Sequence, residues 1–510
     1  MSLFTAQLHP GRALGFLTLG ASLHDVLTRL KAEPSTFPKL EVLYSRDQPV
    51  SEPVCISLPQ NGVRLRFDGP EQRLRLIEVT DFTKSHITFK DRDLVRPATA
   101  GSPVPGESSS GPTFRHIYHR LLGPTYAGEF IPPTGSNQEN GIYVLSYPGV
   151  AFNFSLPTST YSADKDVVTL LSASSSQIAT SMAIFNGTSW AEARPNLWTE
   201  VLPSVKVTST LPRGKDVFPD EVSLIRLHGS GKIQLFRKWT TSSFWIILGE
   251  TTPQDLVAEL GPPNAIYRKN DQKMVIHKMR AASNSRGRPS AKDLRPDEST
   301  DTDQSSMNTG SDESDNEAAV EDQGVGNSSG ECFYNYFYLG FDVLLSTHVP
   351  PSSVPPGETH VPDDIGNGIT VHDPNRLVAT KLVLHGNIPG SYEFNRHRRC
   401  RWEISYLDDD SHDHGPINSE MEFKTIEGLM NKKWDGAYPA DKTQPRTGGM
   451  VLNRGWGDSP GSSCEFLGGW EESGSKRPEA TGDSTTTLFG FPGIVFEVLK
   501  NDHVNTLTVF

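Results

Sequence analysis

The stretch from residue 61 to residue 80, NGVRLRFDGPEQRLRLIEVT, is the part of the sequence that decides the predicted fold. After Gly62, apolar residues occupy every second position as far as Phe67, and a second apolar run extends from Leu74 to Val79. Alternation with a period of two is typical of a strand with one buried face. Two such runs in succession predict a β-hairpin.

The same phrase occurs three more times along the chain. The further copies begin at Gly149, Gly340 and Gly493, and the second runs that follow them are Val167 to Leu171, Lys381 to Leu384 and Val504 to Val509. Four copies of one pattern indicate a repeated structural unit.

A short amphipathic helix is predicted ahead of each hairpin. In the first helix Asp25 precedes apolar positions at Val26, Leu27 and Leu30, and an acid at a helix N-terminus complements the helix dipole. The corresponding stripes in the other units run over residues 114–122, 255–260 and 423–430.

These elements predict an α+β fold, built from repeated units of an amphipathic helix packed on a small antiparallel sheet and interrupted by disordered insertions. We place the units at residues 12–97, 111–187, 244–395 and 420–510, with a connecting β element at 190–243 and a disordered acidic insertion at 280–330.

The charge of the chain is concentrated in the insertion. The formal net charge is −13 over 510 residues, but residues 291–330 alone carry eleven acids against Lys292 and Arg295. The remainder is close to neutral, which disfavours non-specific nucleic-acid binding as the main activity.

The cysteines and the apolar runs indicate a cytoplasmic protein. The four cysteines lie far apart, which gives neither a disulfide framework nor a zinc motif. No signal peptide is evident at the N-terminus, and no apolar stretch approaches the length that spans a bilayer.

The densest polar cluster covers residues 408–414, DDDSHDH. Two histidines among carboxylates could hold a metal ion, but a solvated loop is the favoured interpretation because no further ligand motif completes the cluster. We therefore predict no metal site.

A basic run contains Arg396, Arg398, Arg399 and Arg401. Arginine offers a forked donor to phosphate, so these four residues are candidates for contact with an anionic headgroup or an acidic partner. A strand with alternating exposed arginines is the competing interpretation. Direct membrane binding through the run would weaken with salt.

Ser314 is followed three residues later by an acid, Glu317, which makes it a candidate phosphorylation site. No Gly-rich phosphate loop, nucleophile elbow, HExxH motif or pair of carboxylates at helical spacing is present in the sequence. We predict no catalytic residue and no cofactor, and hence a protein that is not an enzyme.

A ligand pocket is the alternative to a purely structural chain. The aromatic residues that could line a pocket between sheet and helix are Phe333, Tyr336, Phe337 and Tyr338. Core packing is favoured for them, since alternating aromatic side chains normally point inward.

Several longer phrases resemble the phagosome assembly factor 1 family, in matching order over nearly the whole chain. They include Gly62-Val63-x-Leu65-x-Phe67-Asp68, Tyr334-Asn335-Tyr336-Phe337-x-Leu339-Gly340-x-Asp342, Leu384-His385-x-Asn387-x-Pro389-Gly390-x-Tyr392-x-Phe394-Asn395 and Lys433-Trp434-Asp435.

The resemblance implies a non-enzymatic cytosolic factor in autophagy. Family members act with a WD-repeat β-propeller partner, the breast-carcinoma-amplified-sequence 3 protein, at the forming phagophore, and the family has been tied to the Golgi and to trafficking. The sequence is thus expected to encode a scaffold for a propeller protein, recruited with it to phosphoinositide-bearing membrane. A small-molecule or lipid binding protein in membrane trafficking is the alternative.

Overall fold

The structure is a computed structural model that describes residues 3–95, 111–125, 128–133, 140–171, 177–202, 221–268, 331–347, 376–407, 415–434, 449–453 and 485–510. The polar cluster at 408–414, the phosphorylation candidate Ser314 and the whole insertion at 280–330 lie outside these residues.

The first half of the chain forms two sheets. Its strands are β1 (Phe4–His9), β2 (Ala13–Leu14), β3 (Leu17–Thr18), β4 (Glu41–Leu43), β5 (Val54–Leu58), β6 (Val63–Phe67), β7 (Leu74–Val79), β8 (Ser85–Phe89), β9 (Arg92–Val95), β10 (Glu129–Ile131), β11 (Asn140–Tyr147), β12 (Val150–Pro157) and β13 (Ala179–Ile184). One sheet has five strands in the order β3-β2-β1-β8-β9, and the other has eight in the order β10-β11-β12-β13-β7-β6-β5-β4.

The second half repeats this topology. Its strands are β14 (Val222–Leu227), β15 (Lys232–Arg237), β16 (Ser243–Ile247), β17 (Ala265–Arg268), β18 (Cys332–Tyr336), β19 (Phe341–Thr347), β20 (Leu377–His385), β21 (Trp402–Ile404), β22 (Ile417–Asn418), β23 (Met450–Asn453), β24 (Thr485–Phe491), β25 (Ile494–Val498) and β26 (Val504–Val509). The five-stranded order is β16-β15-β14-β21-β22 and the eight-stranded order is β17-β18-β19-β20-β26-β25-β24-β23.

Helices are few among the described residues. They are α1 (Leu23–Ala32), α2 (Val167–Leu171), α3 (Trp190–Asn196), α4 (Pro253–Leu260) and α5 (Phe423–Trp434), with a 3-10 turn at Phe82–Lys84 and a π-helical turn at His116–Leu121. A capping box between Thr252 and Asp255 begins α4. None of the described helices combines the length and the apolar character needed to cross a membrane.

The recurring phrase has the same backbone geometry in all four copies. Each glycine has a positive φ, for example 64° at Gly62 and 89° at Gly340. A Cβ at Gly340 would lie 2.4 Å from the carbonyl oxygen of Arg398, so no other residue fits there. The strand that follows bends at a β-bulge four residues after the glycine, at Arg66/Phe67, Asn153/Phe154, Leu344/Leu345 and Glu497/Val498.

The predicted fold class is wrong. Strand, not helix, dominates the described residues, and the strands do not form small sheets with a helix each. The meander that ends at β7 pairs with β13, and the meander that ends at β20 pairs with β26, so each large sheet has eight strands. Pairing edge to edge satisfies backbone groups that a small separate sheet would leave open.

Two local predictions are corrected as well. Residues Val167–Leu171 form α2 rather than a strand, and β12 pairs with β13 instead. A five-residue apolar run fits a buried helix turn as well as a strand. The region 190–243 is not a separate β element, because it contains α3 and because β14 pairs in parallel with β21. The limits given above for the four units remain predictions.

Each half has its own hydrophobic core. The first core joins both sheets of the first half with α1 and α2, and the second joins both sheets of the second half with α4 and α5. A smaller cluster lies on the opposite face of the first eight-stranded sheet, where α3 covers Leu76, Ala151 and Phe185. We call this face, and its counterpart in the second half, the outer face.

Candidate functional site

The segment from Gly386 to Arg399 connects β20 to β21 and lies against the first half of the chain. We call it the bridging segment. Asn387 and Asn395 have positive φ values of 46° and 65°, and the Asn387 side chain accepts a hydrogen bond from the Asn395 backbone N–H at 2.7 Å. Asparagine tolerates this conformation better than most residues, so the loop folds back on itself.

A reciprocal pair of hydrogen bonds joins the bridging segment to the first half. The Gln72 side-chain amide donates to the Asn387 carbonyl at 2.8 Å, and the Asn387 amide donates to Gln72 Oε1 at 2.8 Å. Both residues are buried. Since an unpaired buried amide is costly, each residue depends on the other half of the chain.

Arg398 forms a buried charge network between the halves. Its guanidinium donates to Asp25 in the first turn of α1 and lies 3.3 Å from Glu221 Oε1. Arg73 reaches the other oxygen of Glu221 at 2.9 Å. Burial would raise the pKa of Asp25, but the Arg398 charge, the neighbouring His24 and the Ser22 hydroxyl together outweigh it and hold that pKa well below its usual value.

Arg399 binds three backbone carbonyls from three places in the fold. Its Nε donates to Pro70 in the first half at 2.8 Å, Nη1 donates to Gly386 at 2.7 Å, and Nη2 donates to Ser419 at 3.3 Å. Burial lowers the pKa of Arg399 to about 10, so it stays charged at neutral pH. Through these hydrogen bonds Arg399 links segments that are far apart in sequence.

The other two arginines of the run lie nearer the surface. Arg401 is part-buried, with Nε 2.7 Å from Glu420 and Nη1 3.5 Å from Glu71, and the side chain of Arg396 is 42% exposed beside Glu393. The run is therefore neither a solvated alternating strand nor a continuous basic surface. Arg398 and Arg399 present no free guanidinium to a headgroup.

Two histidines share one carboxylate beside the bridging segment. His385 Nε2 lies 2.9 Å from Asp342 Oδ2, and His397 Nε2 lies 2.9 Å from Asp342 Oδ1. The imidazole rings stack with centroids 3.6 Å apart and an angle of 9°. Glu393 adds a second carboxylate, 3.3 Å from His385 Nδ1. All three members of the His–Asp–His group are buried.

The two imidazoles differ in protonation. Burial disfavours the charged form of His385, but hydrogen bonds to Asp342 and Glu393 outweigh it and raise the pKa to about 9. Burial and the neighbouring His385 charge lower the pKa of His397 to about 4. At neutral pH the first ring is an imidazolium and the second is neutral, which limits the repulsion between stacked rings.

The group has the donor types of a metal site but not the geometry. Asp342, His385 and His397 bring their donor atoms within 4.8 Å of one another. A coordinated ion lies in the plane of each imidazole ring, along the nitrogen lone pair. Two parallel rings cannot both point at one ion, and both Nε2 atoms already engage Asp342. The hydrogen bonds of Asp342 instead join β19 to β20 and to the bridging segment.

The free energy of unfolding is expected to be greatest near pH 6.5, the ordinary histidine pKa. Below pH 6.5 this histidine is protonated in the unfolded chain, whereas in the folded protein His397 stays neutral until about pH 4. The free energy of unfolding therefore falls as the pH drops towards 4. Above pH 6.5 His385 remains protonated in the folded protein, whereas the same histidine is neutral in the unfolded chain. The stabilisation that the His385 charge provides is therefore lost as the pH rises towards 9. Each side loses about 2 kcal/mol.

Urea unfolding between pH 4.5 and 9.5 measures this profile. The His385→Gln variant is expected to lose the decline between pH 6.5 and 9 and to show a weaker acid decline, because the His385 charge that helps to lower the pKa of His397 is removed with it. The lowered pKa of Glu393 adds to the acid decline, since its stabilisation is lost as pH falls below the ordinary glutamate range. A profile that is flat from pH 6.5 to 9 in the unmodified chain would contradict the assignment.

Most of the aromatic candidates are packed rather than lining an open pocket. Tyr336 is fully buried in the second core and packs on Phe341. Tyr338 donates its hydroxyl to the Leu260 carbonyl at 2.8 Å, and the ring of Phe337 packs against His397 at 4.9 Å. Phe333 is part-buried on β18.

Sequence reasoning did not single out Asp342, His385, Glu393 or His397. A signal was present: Asp342 interrupts the apolar run of β19, and an acid inside a buried strand needs a partner. The identity of that partner could not be read from the sequence, because His397 comes from a loop 55 residues away.

Comparison with known proteins shows a match to one family. The family model described as Phagosome assembly factor 1 matches residues 13–291 and 366–510. A PHAF1 protein of Arabidopsis thaliana is 24% identical, over 99% of this chain and 92% of the relative. A PHAF1 protein of Drosophila melanogaster is 21% identical, over 96% of this chain and 90% of the relative. No solved structure matches the chain.

Proposed function

The chain belongs to the phagosome assembly factor 1 family, and from this premise we propose that it acts in phagosome assembly as a non-enzymatic adaptor. Its proposed partner is a WD-repeat β-propeller protein of the breast-carcinoma-amplified-sequence 3 type. The pair would gather at the forming phagophore during autophagy, with a Golgi association as a further site.

One observation supports an adaptor over an enzyme. The buried ionisable groups in and beside the bridging segment are engaged with one another: Arg398 with Asp25 and Glu221, and Asp342 with two histidines. Catalytic groups need access to a substrate, whereas Arg398 joins the two halves and the Asp342 group fixes the bridging segment to β19 and β20. A fixed arrangement of broad sheets suits docking of another protein.

Membrane contact is proposed to come through the partner rather than through the basic run. Arg398 and Arg399 are buried and already bonded, so two of the four arginines are not free to meet phosphoinositides. Arg396 and Arg401 alone would add little surface attraction.

The alternative, a small-molecule or lipid binding protein, draws less support. It relied on a pocket lined by aromatic side chains, but Tyr336 is fully enclosed in the core and Tyr338 is tied to the Leu260 carbonyl. The cavity formed by the described residues His385, Glu393 and His397 is polar and closely packed. Neither feature matches the apolar cleft that such ligands need.

A pull-down from native cytosol tests the proposed function. Tagged full-length chain and a variant lacking residues 280–330 are used as baits, with the tag alone as control. We expect both chains to recover a WD-repeat protein, because the described sheets and the junction of the halves lie outside the deleted segment.

Co-expression of the chain with the recovered propeller should then give one complex on a sizing column. Recovery by the full-length bait alone would make the insertion the docking element. Recovery by neither bait would remove the adaptor proposal and favour the ligand-binding alternative.

A further inference from the structure

A partly apolar patch lies open on the outer face of the second eight-stranded sheet. Phe510 follows β26 and its side chain is 52% exposed. The ammonium group of Lys381 on β20 lies 5.9 Å from the centre of the Phe510 ring. Val495 on β25 is part-buried beside them. We call these three residues the terminal patch.

The first half has the same patch at equivalent positions. Phe510 donates its backbone N–H to Gly493 at 3.0 Å, and Phe185 donates to Gly149 at 3.3 Å. Both glycines begin copies of the recurring phrase. The strand pairings that follow these glycines have the same register in both halves, and their β-bulges lie at equivalent positions. In this register Leu76 corresponds to Lys381, and Ala151 corresponds to Val495.

In the first half this patch is covered by a helix of the chain itself. Trp190, the first residue of α3, packs its ring 5.2 Å from that of Phe185. Ala193 and Leu197 complete the buried side of α3. Phe185, Leu76 and Ala151 are almost fully buried as a result, whereas Phe510 remains half exposed.

We propose that the terminal patch docks an amphipathic helix of another protein, one with an aromatic residue in its first turn and a carboxylate on the same side. The aromatic residue packs on Phe510 as Trp190 packs on Phe185. The carboxylate pairs with Lys381, which replaces the apolar Leu76 of the first half and has no ion pair within the described residues.

Charge complementarity argues for a helix that differs from α3. A buried lysine ammonium needs a partner, so a purely apolar helix would leave Lys381 uncompensated once the patch is covered. A helix with an acid at that point gains both the burial of Phe510 and a hydrogen-bonded charge pair. The inference goes beyond the proposed function, because this occupant is a helix and not a propeller.

A labelled peptide with the sequence of residues 186–202, which contains α3, serves as the probe. Its Trp190 supplies the aromatic residue, and the substitution Arg194→Glu in the peptide places a carboxylate four residues later, on the same side of the helix. Fluorescence polarisation with the full-length chain is expected to show saturable binding. Phe510→Ser and Lys381→Glu should each weaken it at least about tenfold, while Phe510→Trp keeps it.

Matched variants separate docking from general effects. Trp245 is also exposed, at 41%, but lies on the five-stranded sheet, so Trp245→Ser should leave peptide affinity unchanged. A Trp190→Ala peptide should not bind. The folding of Phe510→Ser is checked by an unchanged melting temperature, since the side chain is at the surface.

Three results would overturn the proposal. If the peptide binds the unmodified chain and Phe510→Ser with equal affinity, the terminal patch is not the binding site. If binding is not saturable, no helix docks there. A chain that is dimeric on a sizing column and becomes monomeric with Phe510→Ser would make a second copy the occupant. The peptide assay contains no propeller protein, so its failure leaves the pull-down result standing.

Discussion

Replacing Arg399 with alanine is expected to lower the free energy of unfolding by about 3–5 kcal/mol, measured by urea unfolding followed through tryptophan fluorescence. The substitution removes the donors to the Pro70, Gly386 and Ser419 carbonyls at once. A carbonyl that is buried without a donor loses its hydration and gains nothing in return. Because Pro70 is in the first half, the loss also weakens the junction of the halves.

Arg396 provides the matched control from the same basic run. Its side chain is 42% exposed and its nearest acid, Glu393, is 3.7 Å away. Arg396→Ala should therefore change stability by no more than about 0.5 kcal/mol. Arg399→Lys should recover only part of the loss, because a single ammonium cannot reach three separated carbonyls. Equal effects of the Arg396 and Arg399 substitutions would refute the assigned role.

The Asp342→Asn substitution is expected to cost a similar amount, about 3–5 kcal/mol. Asn keeps the shape of the side chain, but the neutral His397 would have to change tautomer for its Nε2 to accept from the Asn amide, which leaves a buried Nδ1–H without a partner. The imidazolium of His385 would then retain only Glu393 as a counter-charge. An unpaired buried N–H and a poorly compensated buried charge are both costly, and urea unfolding at pH 7 measures their sum.

The pair of His86 and Asp93 supplies a control of the same chemistry at a less buried position. Its nitrogen and oxygen are 2.7 Å apart, and Asp93 is 29% exposed. Asp93→Asn should cost at most about 1 kcal/mol because water can replace the lost contact. If Asp342→Asn and Asp93→Asn lowered the free energy of unfolding by the same amount, the greater cost that we attribute to burial of the Asp342 group would be refuted.

Both predictions concern polar contacts of the bridging segment rather than either core. Each half is stabilised by its own buried apolar side chains, and the contacts between halves are largely polar and directional. Arg398, Arg399 and the pair of Gln72 and Asn387 define one relative placement of the halves. Hydrogen bonds contribute less to stability than apolar burial does, but they specify geometry more narrowly.

The sequence alone predicted local pairing well. Three of the four hairpins form where alternation placed them: β6 with β7, β19 with β20, and β25 with β26. Helices α1 and α4 also form where the apolar patterns that begin with Asp25 and Asp255 predict them. These features depend on residues that are close in sequence, so periodicity and helix caps contain the information that specifies them.

The sites of chemical interest were less accessible to sequence reasoning. The basic run was correctly noticed but assigned to the surface, whereas Arg398 and Arg399 are inside. Asp25 was expected to complement the dipole of α1, and it also binds Arg398, which is 373 residues away. A charged residue has the same appearance in a sequence whether it meets water or a distant counter-charge.

What the sequence by itself determined was which residues of each strand face a core, and where the turns fall. What only the tertiary structure decided was which edges join, that two meanders make each eight-stranded sheet, and which charges meet at the junction. The physical reason is that alternation encodes the buried face of a strand but not the identity of its neighbour. Neighbours and counter-charges depend on packing between residues that are hundreds of positions apart in the sequence.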